Sequence, residues 1–186
     1  MVIGLCGYRG SGKTVVARYL REMHGFKPVN FKDSLVKEIT EKFPNLLATI
    51  STVMDSTKYD GNKPWNNDRL FKEKPPLMRA LMQEYGTDVR RADNPNYWVD
   101  KWKQSAGTGE NIVADDVRFG NELLAVEEKG GVMIRVKRPD ITTGGEHQSE
   151  TEQESFSVDF TIEANPGDII GIEKQIESIL AVINRD

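Results

Sequence analysis

Residues 7–14 read Gly-Tyr-Arg-Gly-Ser-Gly-Lys-Thr, a spacing of glycines, lysine and hydroxyls that can hold a chain of phosphates. Gly7, Gly10 and Gly12 would let the backbone curl until successive N–H groups point at one anion. A helix beginning near Lys13 would add the positive end of its dipole. Lys13 would reach the β- and γ-phosphates of ATP, and the Thr14 hydroxyl would ligate Mg²⁺. Arg9 and Ser11 complete the expected ATP contacts of the loop. Such a loop needs a strand before it and a helix after it. The apolar run Val2 to Cys6 supplies the first, and Val15, Val16, Tyr19, Leu20 and Met23 at helical spacing supply the second.

A second set of charged residues lies further on. Asp115 and Asp116 follow the apolar stretch Ile112-Val113-Ala114, where a nucleotide-binding sheet needs an acid to hold Mg²⁺ or its water shell. Either acid could serve the metal. Arg118 comes two residues later, and Arg135 and Arg138 bracket the end of the next apolar run. Guanidinium forks suit phosphate geometry. These arginines also flank a polar stretch, 138–155, which reads as a mobile lid that excludes water. Phosphoryl transfer is then the expected chemistry, with Lys13, one of the two acids, Arg118, Arg135 and Arg138 at its centre.

Between the two sets, Gln83-Glu84-Tyr85-Gly86-Thr87-Asp88-Val89-Arg90-Arg91 mixes amide, hydroxyl, carboxylate and guanidinium directly after an apolar helical pattern. Gln83, Thr87, Asp88, Arg90 and Arg91 are candidates for an acceptor pocket, with Arg90 or Arg91 gripping a monophosphate. Trp98 and Trp102, four residues apart, read as core, while Tyr97 could serve either core or site.

The elements that must position these groups alternate. Strands are expected at 2–6, around 28–31, at 112–114, at 132–136 and over Val158, Phe160 and Ile162. Helices are expected from Thr14 to His24, after an Asp33 or Ser34 cap, from Leu77 to a stop near Gly86, from Pro95, over 121–129 and along the isoleucine stripe 169–183. Residues 44–76 read as a loop-rich insertion with at most one short helix. Alternation of this kind gives an α/β fold with a mainly parallel sheet.

The chain has 186 residues, 38% of them apolar, enough for one domain with a core. A net charge of −4 speaks against binding nucleic-acid polymers. The single cysteine, Cys6, sits in an apolar run and reads as a buried thiol in a reducing compartment. With no apolar stretch of membrane-spanning length and no basic leader, a cytoplasmic protein without a membrane partner is expected.

Taken in order, these segments resemble the deoxynucleoside monophosphate kinases of tailed bacteriophages, within the P-loop kinase superfamily. The resemblance rests on GYRGSGKT, FKDSL at Phe31 to Leu35, EYGTDVRR at Glu84 to Arg91 and NPNYWV at Asn94 to Val99. It continues with ADDVRFGNE at Ala114 to Glu122, and with RVKRP and HQSE between Arg135 and Glu150. It implies a P-loop kinase fold with a five-stranded parallel sheet, an acceptor-binding region over about 33–104 and a lid. It further implies that Asp33 contacts the acceptor nucleotide, that Arg90 or Arg91 binds its phosphate, and that Asp116 and Arg118 sit at the reaction centre. Arg135 and Arg138 would stand on the lid side, Asn165 near the ATP base, and His147 and Glu150 would order the lid. The expected partners are ATP·Mg²⁺ and a (deoxy)nucleoside monophosphate. Oligomeric state is open; contact through residues 44–76 or the tryptophan-bearing helix would give a homodimer.

Two other readings compete. One is a P-loop kinase of another small acceptor, such as dephospho-coenzyme A. The other is a GTP-binding switch, which needs Asp-x-x-Gly before [Asn/Thr]-Lys-x-Asp. Thr57-Lys58-Tyr59-Asp60 fits the second pattern, but the Asp-x-x-Gly at Asp168 to Gly171 follows it, in the wrong order.

Overall fold

A computed structural model describes residues 1–57, 64–141 and 151–184. The chain divides into two units, Met1–Phe31 with Val99–Asp186, and Lys32–Trp98. His147, Glu150, most of the expected lid and the Lys58-Tyr59-Asp60 segment lie outside the described residues.

The first unit is built on an all-parallel sheet. Its central strand β1 (Val2–Cys6) is buried along its whole length. It pairs with β3 (Ile112–Ala114) on one side and β4 (Val132–Lys137) on the other. The outer strands are β2 (Lys27–Pro28) and β5 (Phe160–Glu163), giving the order β2-β3-β1-β4-β5. Both faces are covered at the centre of the sheet, which is why β1 and β3 read as unbroken apolar runs. One face packs Leu5, Ile134 and Ile162 against Val16 and Leu20 of α1 (Lys13–His24) and against Ile172 and Ile176 of the C-terminal helix (Ile169–Ile183). The other packs Cys6, Ala114 and Met133 against Trp102, Ala125 and Val126.

Strand order fixes where a ligand can enter. From β1 the chain leaves toward β2, whereas from the adjacent β4 it leaves toward β5. Connections that diverge from neighbouring parallel strands open a crevice at the strands' carboxyl ends. Gly7 and Arg138 follow the last residues of those two strands.

The second unit is helical: α2 (Lys32–Lys42), α3 (Pro44–Ser56), α4 (Asn67–Glu73) and α5 (Pro76–Gln83), continued by a π-helix (Glu84–Arg91) and the start of α6 (Tyr97–Ser105). Leu35, Ile39, Leu47, Ile50, Met54, Leu70, Met78 and Trp98 form its core.

Several sequence expectations are corrected here. Among the described residues, 44–76 hold two helices, one of 13 residues and one of 7, where a loop-rich insertion with at most one short helix was expected. Leu47, Ile50 and Met54 keep helical spacing, and Pro44 starts α3 at its first turn, where a missing N–H costs nothing. The Asn66 side chain caps α4 by accepting from Arg69 N–H at 2.9 Å. Gly86 does not stop the helix. Its backbone continues through the π-helix, its missing Cβ leaves room for the Leu35 side chain, which would stand 3.0 Å from one, and its carbonyl accepts from Trp98 Nε1 at 2.8 Å. α2 begins at Lys32, so Asp33 lies inside the first turn and not at the cap. β2 ends at Pro28, and Phe31 instead stacks on Trp102 at 4.5 Å between ring centroids. Val158 precedes β5 and is not part of it. Trp98 and Trp102, by contrast, are both buried, as their reading as core expects. Among the described residues, no helix is long and apolar enough to cross a membrane.

Candidate functional site

The loop between β1 and α1 has the backbone its glycines were expected to allow. Gly7, Gly10 and Gly12 have φ of 137°, 81° and 105°, all in the left-handed region. Gly7 is the tightest: a Cβ there would stand 2.2 Å from the Val136 carbonyl oxygen. Gly12 is the N-cap of α1 and supplies no side-chain cap, which leaves the helix's first N–H groups open toward the loop. The Lys13 ammonium folds back and donates to the carbonyls of Gly7 (2.5 Å) and Tyr8 (2.9 Å). Ser11 is 1% exposed, and its Oγ has no hydrogen-bond partner among the described residues. A buried hydroxyl without a partner costs free energy, and a phosphate oxygen held in the loop would be an acceptor for it.

The loop is electropositive. Lys13 and Arg135 both act on the Cys6 thiol, whose pKa nevertheless rises because burial dominates. Arg138 is held by Asp140 (2.8 and 3.2 Å) and reaches the Gly10 carbonyl at 3.5 Å. Ile141, in the same turn, lies where a Gly10 side chain would project.

At the end of β3 the two acids differ. Asp116 is buried, and its Oδ1 accepts from Phe31 N–H at 3.0 Å. Asp115 is half-buried and is fixed through its backbone N–H, which donates to Asn30 Oδ1 at 2.8 Å. Arg118 N–H donates to Glu122 Oε2 at 2.8 Å, as does Phe119 N–H at 3.2 Å, so the buried Glu122 sets the path of the chain after the acids. Among the described residues no three His, Cys, Asp or Glu side chains gather into a metal cage. Thr14, exposed at the start of α1, and the two acids at the end of β3 are hard oxygen donors in small number. That set fits Mg²⁺, which keeps several waters and arrives with substrate phosphates.

Sequence reasoning missed the short 3₁₀ turn Glu152–Ser155, which had been read as lid loop. Gln153 is 2% exposed, and its Oε1 accepts from Gly7 N–H at 2.9 Å. Glu152 Oε1 accepts from Gly120 N–H at 2.7 Å, at the start of α7 (Gly120–Glu128). The Glu154 carboxylate raises the pKa of the Tyr8 phenol. Arg135 Nη2 donates to the Phe156 carbonyl at 2.7 Å and Nη1 to that of Glu154 at 3.4 Å. Arg135 thus fastens the turn to the sheet. A buried glutamine in an acidic, polar stretch left no periodic signal.

In the second unit the π-helix gathers a different cluster. Glu38, 9% exposed, accepts from Tyr85 OH at 2.9 Å, from Arg90 Nη2 at 3.1 Å and, through a very short bond, from Tyr97 OH. Lys42 lies 3.6 Å away. Burial works to raise the Glu38 pKa, but the Tyr97 and Tyr85 hydroxyls, then Arg90 and Lys42, outweigh it and hold the carboxyl at about 2. Arg90 also donates from Nε to Tyr85 OH at 3.0 Å, and its guanidinium lies over the rings of Tyr85 and Tyr97 at 5.2 and 5.0 Å. π-turns inside helices recur at functional sites, and here the turn supplies Tyr85 and Arg90 together. The sequence flagged Arg90; the distant Glu38 was missed.

The other expected residues are placed less tightly. Arg91 Nη1 donates to the Pro95 carbonyl at 3.2 Å. Gln83, Thr87 and Asp88 lie on or beside the π-helix with part-exposed or exposed side chains, and Asp33 lies in the first turn of α2. Asn165 is exposed after β5, and its neighbour Ala164 stands 3.2 Å from where a Gly12 Cβ would be, so that strand's end borders the loop.

No family model matches the chain. Over 170 residues it is 32% identical to a protein of Acanthamoeba polyphaga mimivirus named "Putative deoxynucleotide monophosphate kinase", covering 84% of this chain and 83% of that one. The backbone superposes on TT1252 from Thermus thermophilus with a TM-score of 0.41 and 17% identity, over 97% of this chain and 96% of that one. It superposes on a sugar kinase from Janibacter sp. HTCC2649 with a TM-score of 0.41 and 17% identity, over 98% of this chain and 94% of that one.

Proposed function

The chain belongs to the deoxynucleotide monophosphate kinase family, and from that premise we propose that it transfers the γ-phosphoryl group of ATP to a deoxynucleoside monophosphate, giving the diphosphate and ADP. The observation that carries the reading is the loop 7–14, preshaped by left-handed glycines around a buried Ser11 hydroxyl with no partner among the described residues.

In this reading the loop N–H groups and the start of α1 hold the triphosphate. Lys13 exchanges its two carbonyl partners for the β- and γ-phosphates, and Ser11 Oγ gains the bond it lacks. Arg9 and Arg138 face the same anion from the loop and from the end of β4, Arg138 being only half-exposed and already at Gly10. Arg118 serves the moving group. Arg135, tied to the turn at 152–156, acts by holding that turn and by its charge. Asn165 borders the ATP base. Thr14 with Asp116, or Asp115, would hold Mg²⁺, which when bound neutralises charge developing on the phosphates.

On the acceptor side, Arg90 is the phosphate ligand we favour. Glu38 and Tyr85 occupy its Nη2 and Nε, leaving Nη1 for an incoming phosphate. Asp33, Gln83, Thr87, Asp88 and Arg91 complete the acceptor set. The attacking 5′-phosphate oxygen is already anionic, so positioning and electrostatics suffice and no general base is named.

ADP release from ATP·Mg²⁺ against each common dNMP and NMP, with dephospho-coenzyme A and no-acceptor controls, tests this. Release dependent on a dNMP supports it; release dependent on dephospho-coenzyme A, or on no acceptor, contradicts it.

A further inference from the structure

We infer that Gln153 is a positioning residue for the phosphate loop, acting from the turn Glu152–Ser155; the inference rests on the loop being the ATP site. Strand pairing ends at Cys6, opposite Arg135. The next N–H, that of Gly7, lies beyond the ladder at the position where the backbone turns left-handed and where a Cβ would stand 2.2 Å from the Val136 carbonyl oxygen. Gln153 supplies the missing acceptor across 146 residues of sequence. The same stretch takes hold of two further pieces of the donor half: the chain after Asp115-Asp116 through the bond of Glu152 to Gly120 N–H, and β4 through Arg135.

Glu152, Gln153, Glu154 and Phe156 therefore link the phosphate loop, the acidic strand end and the arginine-bearing strand. Gly7 N–H is engaged by Gln153, so the amide's part is to fix the loop's first peptide, and with it the direction in which the later N–H groups point. An unanchored loop would have to order on binding, and the competent fraction would scale the affinity for ATP.

ATP affinity measured by calorimetry on the whole chain tests this, wild type first. Gln153→Met keeps the length of the side chain and removes the acceptor; it should weaken ATP binding about tenfold and leave the KM for the acceptor within about twofold. Asn66→Leu is the control. Asn66 Oδ1 makes the same kind of bond to Arg69 N–H at 2.9 Å, at the start of α4 and outside the residues assigned to ATP, and its loss should leave ATP affinity unchanged. If Gln153→Met does not fold, Gln153→Asn, which keeps the amide one methylene too short, should show the same weakening. Wild-type affinity for ATP in a folded Gln153 variant, or equal weakening by Asn66→Leu, overturns the inference. Absence of ATP binding by wild type overturns the proposed function itself, and the inference with it.

Discussion

Arg90 and Glu38 form a half-buried ion pair at 3.1 Å in the helical unit, with the guanidinium set over the rings of Tyr85 and Tyr97. Glu38 lies on α2 and Arg90 on the π-helix, 52 residues apart. The pair makes one charge carry two burdens: it ties two helices together and orients the proposed acceptor ligand.

Stability should therefore depend on acid through Glu38. Its carboxyl titrates at about 2 in the fold, below its ordinary value near 4.3. A depressed folded pKa gives stability that is complete above the unfolded value and is lost as pH falls through the folded one. Wild type should lose at most about 3 kcal/mol through this group between roughly pH 4.5 and 2. Urea unfolding at several pH values should show Glu38→Gln less stable at neutral pH and without that slope. A parallel slope in both proteins would contradict the assignment.

Ser11→Ala should separate stability from binding. Removing a buried hydroxyl that has no partner among the described residues should raise the stability of the free protein by about 1 kcal/mol. It should also weaken ATP binding about tenfold, because a bond to a charged phosphate is lost. Thermal melts with and without ATP read both effects. A destabilised variant would show that the hydroxyl has a structural partner.

Gly7→Ala tests the loop backbone. The added Cβ would meet the Val136 carbonyl oxygen at 2.2 Å with φ at +137°, and neither backbone can give way cheaply. A loss of about 3 kcal/mol or more is expected in chemical denaturation.

Asp116→Asn keeps an oxygen for the Phe31 N–H, whose bond is 3.0 Å, and removes the charge. The melting temperature should change little, while kcat at saturating Mg²⁺ falls by on the order of 10² or more. The same loss from Asp115→Asn alone would reassign the metal-facing acid.

How much of this could be read from sequence depends on the range of the interaction. The phosphate loop, its strand and its helix are contiguous, and each residue type there answers to local backbone geometry, so residues 7–14 were legible. So were β1 and β3 at the centre of the sheet, which are buried along their whole length. The helices at 44–76 were hidden by prolines and polar neighbours, although Leu47, Ile50 and Met54 kept the helical period. Gly86 misled because its freedom is used inside a π-turn and not to end a helix. Gln153 and Glu38 were invisible for another reason: each acts on a partner distant in sequence, Gly7 or Arg90, and nothing in their neighbourhoods announces it. The resemblance to deoxynucleoside monophosphate kinases supplied the family, and the chain's family membership supports that part of the reading.

The central claim is transfer to a deoxynucleotide. The direct measurement follows radiolabel from [γ-³²P]ATP in the presence of Mg²⁺ and each dNMP in turn, for wild type and for Lys13→Ala. Labelled dNDP should appear with at least one dNMP, and should fall by on the order of 10²–10³ or more in the variant, which also loses the bonds from Lys13 to the Gly7 and Tyr8 carbonyls. Label that never reaches a dNMP, or reaches it equally well without Lys13, would contradict the account.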